Sequence, residues 1–148
     1  MDRTEYGQLL RQIRHEYGNL LQVAGSYLDL GLITETKAYI QNEILKWHEE
    51  HEMLRNFPES FYLYLFAQRM KAREQGIELR YKDLQMSLVE DLMRYEEPCA
   101  SIGALIPLPE LSIEDPLVYV SLIEGVNGFG LYFESANFQP LTVWYGKE

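Results

Sequence analysis

The chain has 148 residues, of which 47% are hydrophobic and 13% aromatic. That is enough to close one core or two small lobes, and too apolar for a disordered segment. The net charge of −10 is unevenly spread: residues 1–75 hold 9 Lys/Arg against 11 Asp/Glu, whereas residues 76–148 hold 4 against 12, a net of −8. The second half repels polyphosphate, which argues against nucleic acid as a partner. No apolar run nears the ~20 residues of a membrane span, and no signal-peptide core stands at the N-terminus. The single Cys99 cannot form an internal disulfide, so the expectation is a cytoplasmic protein with no membrane association.

At about 100° per residue, Tyr6, Leu10, Ile13, Tyr17, Leu20, Leu21, Ala24 and Leu28 fall in one apolar stripe. They predict a helix from about Thr4 to Leu30, stopped at Gly31. Thr34 is the expected N-cap of a second helix, on which Ile40, Ile44, Trp47, His51 and Leu54 share a face up to about Asn56, before Pro58 breaks the pattern. Two long helices with a short link make an antiparallel hairpin. One hairpin leaves its stripes half exposed, so residues 1–58 are expected to form a homodimeric four-helix bundle. The run "SFYLYLFAQRMKAREQG" predicts a connecting helix over 59–76. Beyond Gly76 the period changes: "IELRY" alternates as a strand, residues 84–95 look helical, and "PLPELSIEDP" reads as a proline-bounded loop. "LVYVSLIE", "GVNG" and "FGLYFES" read as a β-hairpin and "LTVWY" as a last strand. The fold class is therefore α+β, with a small α/β lobe of three to four strands over 77–148.

His15 projects about 180° from the centre of the first stripe, among Gln8, Arg11, Gln12, Gly18, Asn19, Gln22 and Ser26. Glycine inside a helix costs roughly 1 kcal/mol relative to alanine, and close approach of another molecule to His15 is one feature that would offset it. An exposed imidazole is a competent nucleophile near neutral pH, and Glu16 could fix its tautomer through a favourable rotamer. On residue types alone, the favoured reading is an exposed histidine on a solvated helix.

The stretch "LLRQIRHEYGNLLQVAGSYLDLGLITETKAYI", residues 9–40, resembles the phospho-acceptor hairpin of bacterial sensor histidine kinases. The branch it is most similar to includes the citrate- and fumarate-sensing kinases and the sporulation initiation phosphotransferase B. That branch carries an Arg-His-Asp/Glu-aromatic-x-Asn-x-Leu-Gln pattern, matched here by Arg14, His15, Glu16, Tyr17, Asn19, Leu21 and Gln22. "AREQGIEL" at residues 72–79 resembles the lead into the family's ATP-binding lobe. The resemblance implies a phosphotransferase in which His15 accepts the phosphoryl group, Glu16 orients the imidazole, and Arg14 and Arg11 ease phosphate charge. It further implies that Gly18, Asn19 and Gln22 dock a response-regulator receiver domain, which supplies Mg²⁺ and the reacting carboxylate. No cofactor is then expected on this chain itself.

Beyond Arg80 the chain departs from the kinase pattern. No asparagine stands between Asn56 and Asn127 and no Asp-x-Gly follows Gly76, so the lobe is expected to be a degenerate ATPase-like domain without ATP chemistry. "GVNGFG" at 125–130 resembles a glycine lid, but its flanking alternating runs favour a hairpin turn. His48 and His51 in "HEEHE" lack a third metal ligand at sensible spacing, Cys99 lacks a base partner, and the aromatic run 61–66 reads as packing. The expected function is a histidine phosphotransferase of a bacterial phosphorelay. The alternatives are a degenerate sensor kinase and a non-catalytic dimeric adaptor.

Overall fold

The computed structural model describes residues 2–106 and 116–147; the loop expected at 107–116 lies, but for Pro116, outside them. The protein is α+β and divides into two compact units, residues 1–55 and 56–148.

The first unit is a hairpin of α1 (Arg3–Asp29) and α2 (Ile33–Leu54). Asp2 opens α1 with a capping box: its carboxylate accepts from Glu5 N at 2.8 Å, and the Glu5 carboxylate accepts from Asp2 N at 2.8 Å. Gly31, with φ +74°, closes it. The amides of Gly31 and Leu32 reach back to the carbonyls of Leu28 and Tyr27, both at 2.9 Å, in a Schellman turn that satisfies two end carbonyls. This tight exit corrects the start of α2. The N-cap is Leu32 and not Thr34; its carbonyl accepts from Thr36 N at 3.0 Å and from the Thr36 hydroxyl at 2.7 Å.

The helices meet along Leu9 and Ala24 of α1 and Thr36 of α2, all buried, and through an edge-to-face pair of Tyr27 and Tyr39 at 5.9 Å. The stripe read from the sequence is only partly this contact. Its members Tyr6, Leu10, Tyr17, Leu21 and Leu28 stay exposed, as do Ile33, Ile40, Ile44 and Trp47 on α2. The apolar arc of each helix is wider than one neighbouring helix can cover.

In the second unit α3 (Glu59–Glu74) is followed by β1 (Glu78–Asp83), α4 (Met86–Arg94), α5 (Cys99–Leu105), β2 (Leu117–Glu124), β3 (Asn127–Ser135) and β4 (Phe138–Lys147). Gly76, with φ +80°, repeats the Schellman exit between α3 and β1: its amide and that of Ile77 bond to Arg73 and Ala72 carbonyls at 3.0 Å. The four-stranded sheet has the order β1-β2-β3-β4; β1 and β2 run parallel across the helical crossover, and β2, β3 and β4 are antiparallel. Period-2 alternation puts Leu79, Tyr81, Val118, Val120, Leu122, Phe129, Leu131 and Phe133 on one buried face. Leu65, Met70, Leu88, Val89, Leu92 and Ile102 from the helices complete the core, and the Tyr81 hydroxyl donates to the Leu65 carbonyl at 2.6 Å. Helix α5 was not foreseen; seven residues carrying Ala, Ser and Gly give too little apolar period to read.

Candidate functional site

The hairpin has two unlike broad sides. The exposed apolar line of α1 lies about 100° around from its α2-facing line, and that of α2 lies about 90° around from its α1-facing line, in the same rotational sense. In an antiparallel pair that places both lines on one broad side. His15 lies on the other.

The imidazole of His15 is exposed and meets the side chain of Asn19, one turn on, at 3.4 Å from Asn19 Nδ2 to His15 Nδ1. An amide can present either oxygen or nitrogen to a ring nitrogen. With its oxygen inward, it accepts from Nδ1–H and leaves the Nε2 lone pair free. Asn19, assigned by resemblance to docking, thus lies against the imidazole itself. Arg11 sits one turn before His15 on the same face and is exposed, while Arg14 is exposed about 100° around, nearer the apolar side. Gln22 is exposed two turns beyond His15, and Glu16 is half-buried, about 100° around toward α2.

Between Arg14 and His15 runs a bare seam. Gly7, Gly18 and Gly25 fall within about 20° of one line, and a Cβ added at any of them would meet nothing within 4 Å. Internal packing therefore does not require these glycines, although each costs α1 roughly 1 kcal/mol. All three glycines are partly exposed, and Gly18 is the one within a turn of the imidazole.

The second unit holds a buried polar cluster of a different kind. Glu97, fully buried, accepts from Tyr145 OH at 2.5 Å, Ser101 Oγ at 2.6 Å and Ser101 N at 3.2 Å. Burial, and then the hydrogen bond to Glu97, push the Tyr145 phenol up to about 12. The Tyr64 hydroxyl lies 2.6 Å from the Glu97 carbonyl and 3.0 Å from that of Leu92; burial first, then Cys99, Glu97 and Glu96, raises it above its ordinary value. Cys99 is buried, its amide donating to Gln68 Oε1 at 2.9 Å and its thiol to Gln68 O at 3.0 Å. Burial pushes the thiol up to about 12 against the opposing effect of Lys71. These groups satisfy one another, and they fasten α3, α5 and β4 together.

The glycine-rich stretch at 125–130 serves the sheet. Gly125 N bonds to Gly128 O at 2.9 Å around the tip between β2 and β3. A Cβ at Gly128 would collide with the Tyr145 carbonyl, and one at Gly130 would press on the Trp144 ring at 3.1 Å. Their missing side chains make room for β4. Among the described residues no group of three or more His, Cys, Asp or Glu could hold a metal ion, and no helix is long and apolar enough to cross a membrane.

No family model, no curated protein and no solved structure matches the chain.

Proposed function

We propose that the protein is a histidine phosphotransferase of a phosphorelay, with His15 as the phosphoryl carrier between receiver domains. The observation that carries this reading is the exposed imidazole of His15 in contact with Asn19 at 3.4 Å, beside a line of glycines at which, among the described residues, an added Cβ would meet nothing within 4 Å. With Asn19 holding Nδ1–H, the Nε2 lone pair attacks phosphorus of a receiver aspartyl-phosphate in line. The P–O bond to the aspartate breaks, its electrons leave with the receiver carboxylate, and the phosphohistidine passes the group on by the reverse displacement. The receiver brings Mg²⁺ and the carboxylate; this chain contributes position and Arg11 charge, with Arg14 at the rim. Gly18, Gln22 and the seam receive the partner. Asn19 is then a positioning residue, and Glu16 shapes the potential beside the imidazole.

The same reading makes the functional unit a homodimer. Nine large apolar side chains stand exposed on one side of the hairpin. Covering them with a second copy buries on the order of 600–800 Å² per partner, the range of a stable interface, and four helices then surround one core. The second unit is read as a degenerate ATPase-like lobe, with structural polar groups in place of nucleotide ligands.

The test is incubation with a panel of phosphorylated receiver domains, followed by search for an acid-labile label. Transfer to wild type and none to His15→Ala or His15→Gln supports the assignment, since an amide cannot replace the nucleophile. Label surviving in His15→Ala overturns it. Label taken from Mg-ATP alone points to a degenerate kinase, and absence of label from every donor points to a dimeric adaptor.

A further inference from the structure

One titratable side chain lies in the exposed apolar line of α2. His51 is a helical turn beyond Trp47, and its imidazole stacks on the indole with centroids 5.1 Å apart and planes 5° from parallel. His48 meets the same indole edge-on at 5.2 Å and 69°. Both Trp47, at 56% exposure, and His51 are open to solvent in the single chain.

The stack tolerates either charge state while water reaches it, because an indole face attracts a cation. A covering copy changes the balance, since loss of water disfavours the charged imidazole. On α2, Glu52 lies 3.6 Å from Arg55, and Glu50 lies toward the α1-facing side. Antiparallel register about Gly31 sets the first three turns of α1 level with His51. Near that level Arg3, Arg11 and Arg14 are exposed cations, Glu16 is half-buried toward α2, and the Glu5 carboxylate is engaged in the cap with Asp2. A second copy brings the same set.

We infer that His51 makes assembly of the hairpin pH-dependent: two copies associate with both imidazoles neutral and separate as these take up protons. This rests on the dimer reading above and adds a regulatory property to it. The sign follows from burial: the charged form is disfavoured in the dimer, so association is strongest above the imidazole range and is lost as pH falls through it. With two protons taken up per dimer released, the dissociation constant climbs as pH falls through the imidazole range, and a rise of about a hundredfold is expected between pH 7.5 and pH 5.5. Release of the dimer would take up two protons.

Sedimentation equilibrium of the full chain between pH 5.5 and 7.5 tests this, with His51→Phe and His48→Ala alongside and circular dichroism to confirm helix content. The expected result is a hundredfold weakening for wild type and for His48→Ala, and a flat profile for His51→Phe, whose ring keeps the stack without the charge. Should His51→Phe fail to fold, His51→Leu takes its place. A wild-type dimer with a flat profile, or a slope retained in the His51 variants, overturns the pH dependence while leaving the dimer. A chain monomeric at every pH overturns the dimer reading itself and the pH dependence with it.

Discussion

Leu21 gives the sharpest measure of what the open side of the hairpin is for. It is 68% exposed in the single chain, and it lies in the α1 line with Leu10, Tyr17 and Leu28. Leu21→Ala therefore removes little packing within one copy, and its effect on an isolated hairpin is set by helix propensity, which slightly favours alanine. In a dimer the account differs. Full burial of a leucine side chain is worth about 1.5–3 kcal/mol, and roughly two-thirds of that area remains to be buried, or about 1–2 kcal/mol per copy. Alanine keeps a minor part, so a dimer with two altered sites loses about 2–3 kcal/mol, a 30- to 150-fold rise in the dissociation constant. Leu21→Glu adds the desolvation of two carboxylates and leaves a monomer at micromolar concentration.

The assay is sedimentation equilibrium at pH 7.5, paired with far-ultraviolet circular dichroism. The neighbouring Gln22→Ala, on the imidazole side, serves as control and is expected to leave association unchanged. A Leu21→Ala dissociation constant within threefold of wild type refutes the assignment of this line to the interface. Loss of helix in Leu21→Ala refutes the premise that the residue makes no packing in the single chain.

Three further outcomes follow from the same geometry. Gly18→Ala raises the hairpin's melting temperature, by the equivalent of about 1 kcal/mol, because its Cβ meets nothing within 4 Å; a fall shows an unseen clash, and slowed phosphotransfer in a more stable variant marks the seam as a docking surface. Glu97→Leu costs the second unit about 3–5 kcal/mol in urea unfolding, since it leaves Tyr145 and Ser101 donors without their buried acceptor; a loss under 1 kcal/mol refutes the role given to the cluster. Tyr145, raised to about 12, gives stability that is complete below the ordinary phenol range and is lost as pH rises from about 10 toward 12; unfolding of wild type and Tyr145→Phe at pH 9 and pH 11.5 should show the steeper loss in wild type.

Much of this fold was legible because its signals are local. The 3.6-residue stripe located α1 to within a residue at each end, and Gly31 and Gly76 marked the chain exits that their positive φ angles now explain. Alternation in "LVYVSLIE" and "FGLYFES" located two strands of the hairpin. What escaped depended on distance or on competition. Thr34 looked like a cap by type, but the Schellman turn delivers the chain to helix two residues earlier. Glu97 gave no sign, because its partner Tyr145 stands 48 residues away. The stripe on α1 pointed to burial without saying by what, and a wide apolar arc reads the same whether one helix covers it or two. For the site, His15 and its outward direction were readable from the period, whereas the contact with Asn19 depends on side-chain rotamers that no spacing rule supplies.

The division between the hairpin's two sides bears on how the proposed chemistry and assembly relate. Residues that would act on phosphate, His15, Asn19 and Arg11, share no side with Leu10, Tyr17, Leu21, Ile40, Ile44 and Trp47. If a second copy covers the apolar side, both imidazoles face outward on opposite flanks of the bundle, and neither approaches the other or blocks its partner. Each then reacts independently, so a mixed dimer of wild type and His15→Ala should transfer at half the wild-type rate per dimer, whereas a site shared between copies would fall to near zero. The contact between His15 and Asn19 lies within one helix, and this is why assembly and transfer should separate: Leu21 variants lose association first, and Asn19 variants lose rate while remaining dimeric. A Leu21→Glu monomer that still accepts phosphate at His15 would show that the dimer serves docking or regulation rather than the chemistry.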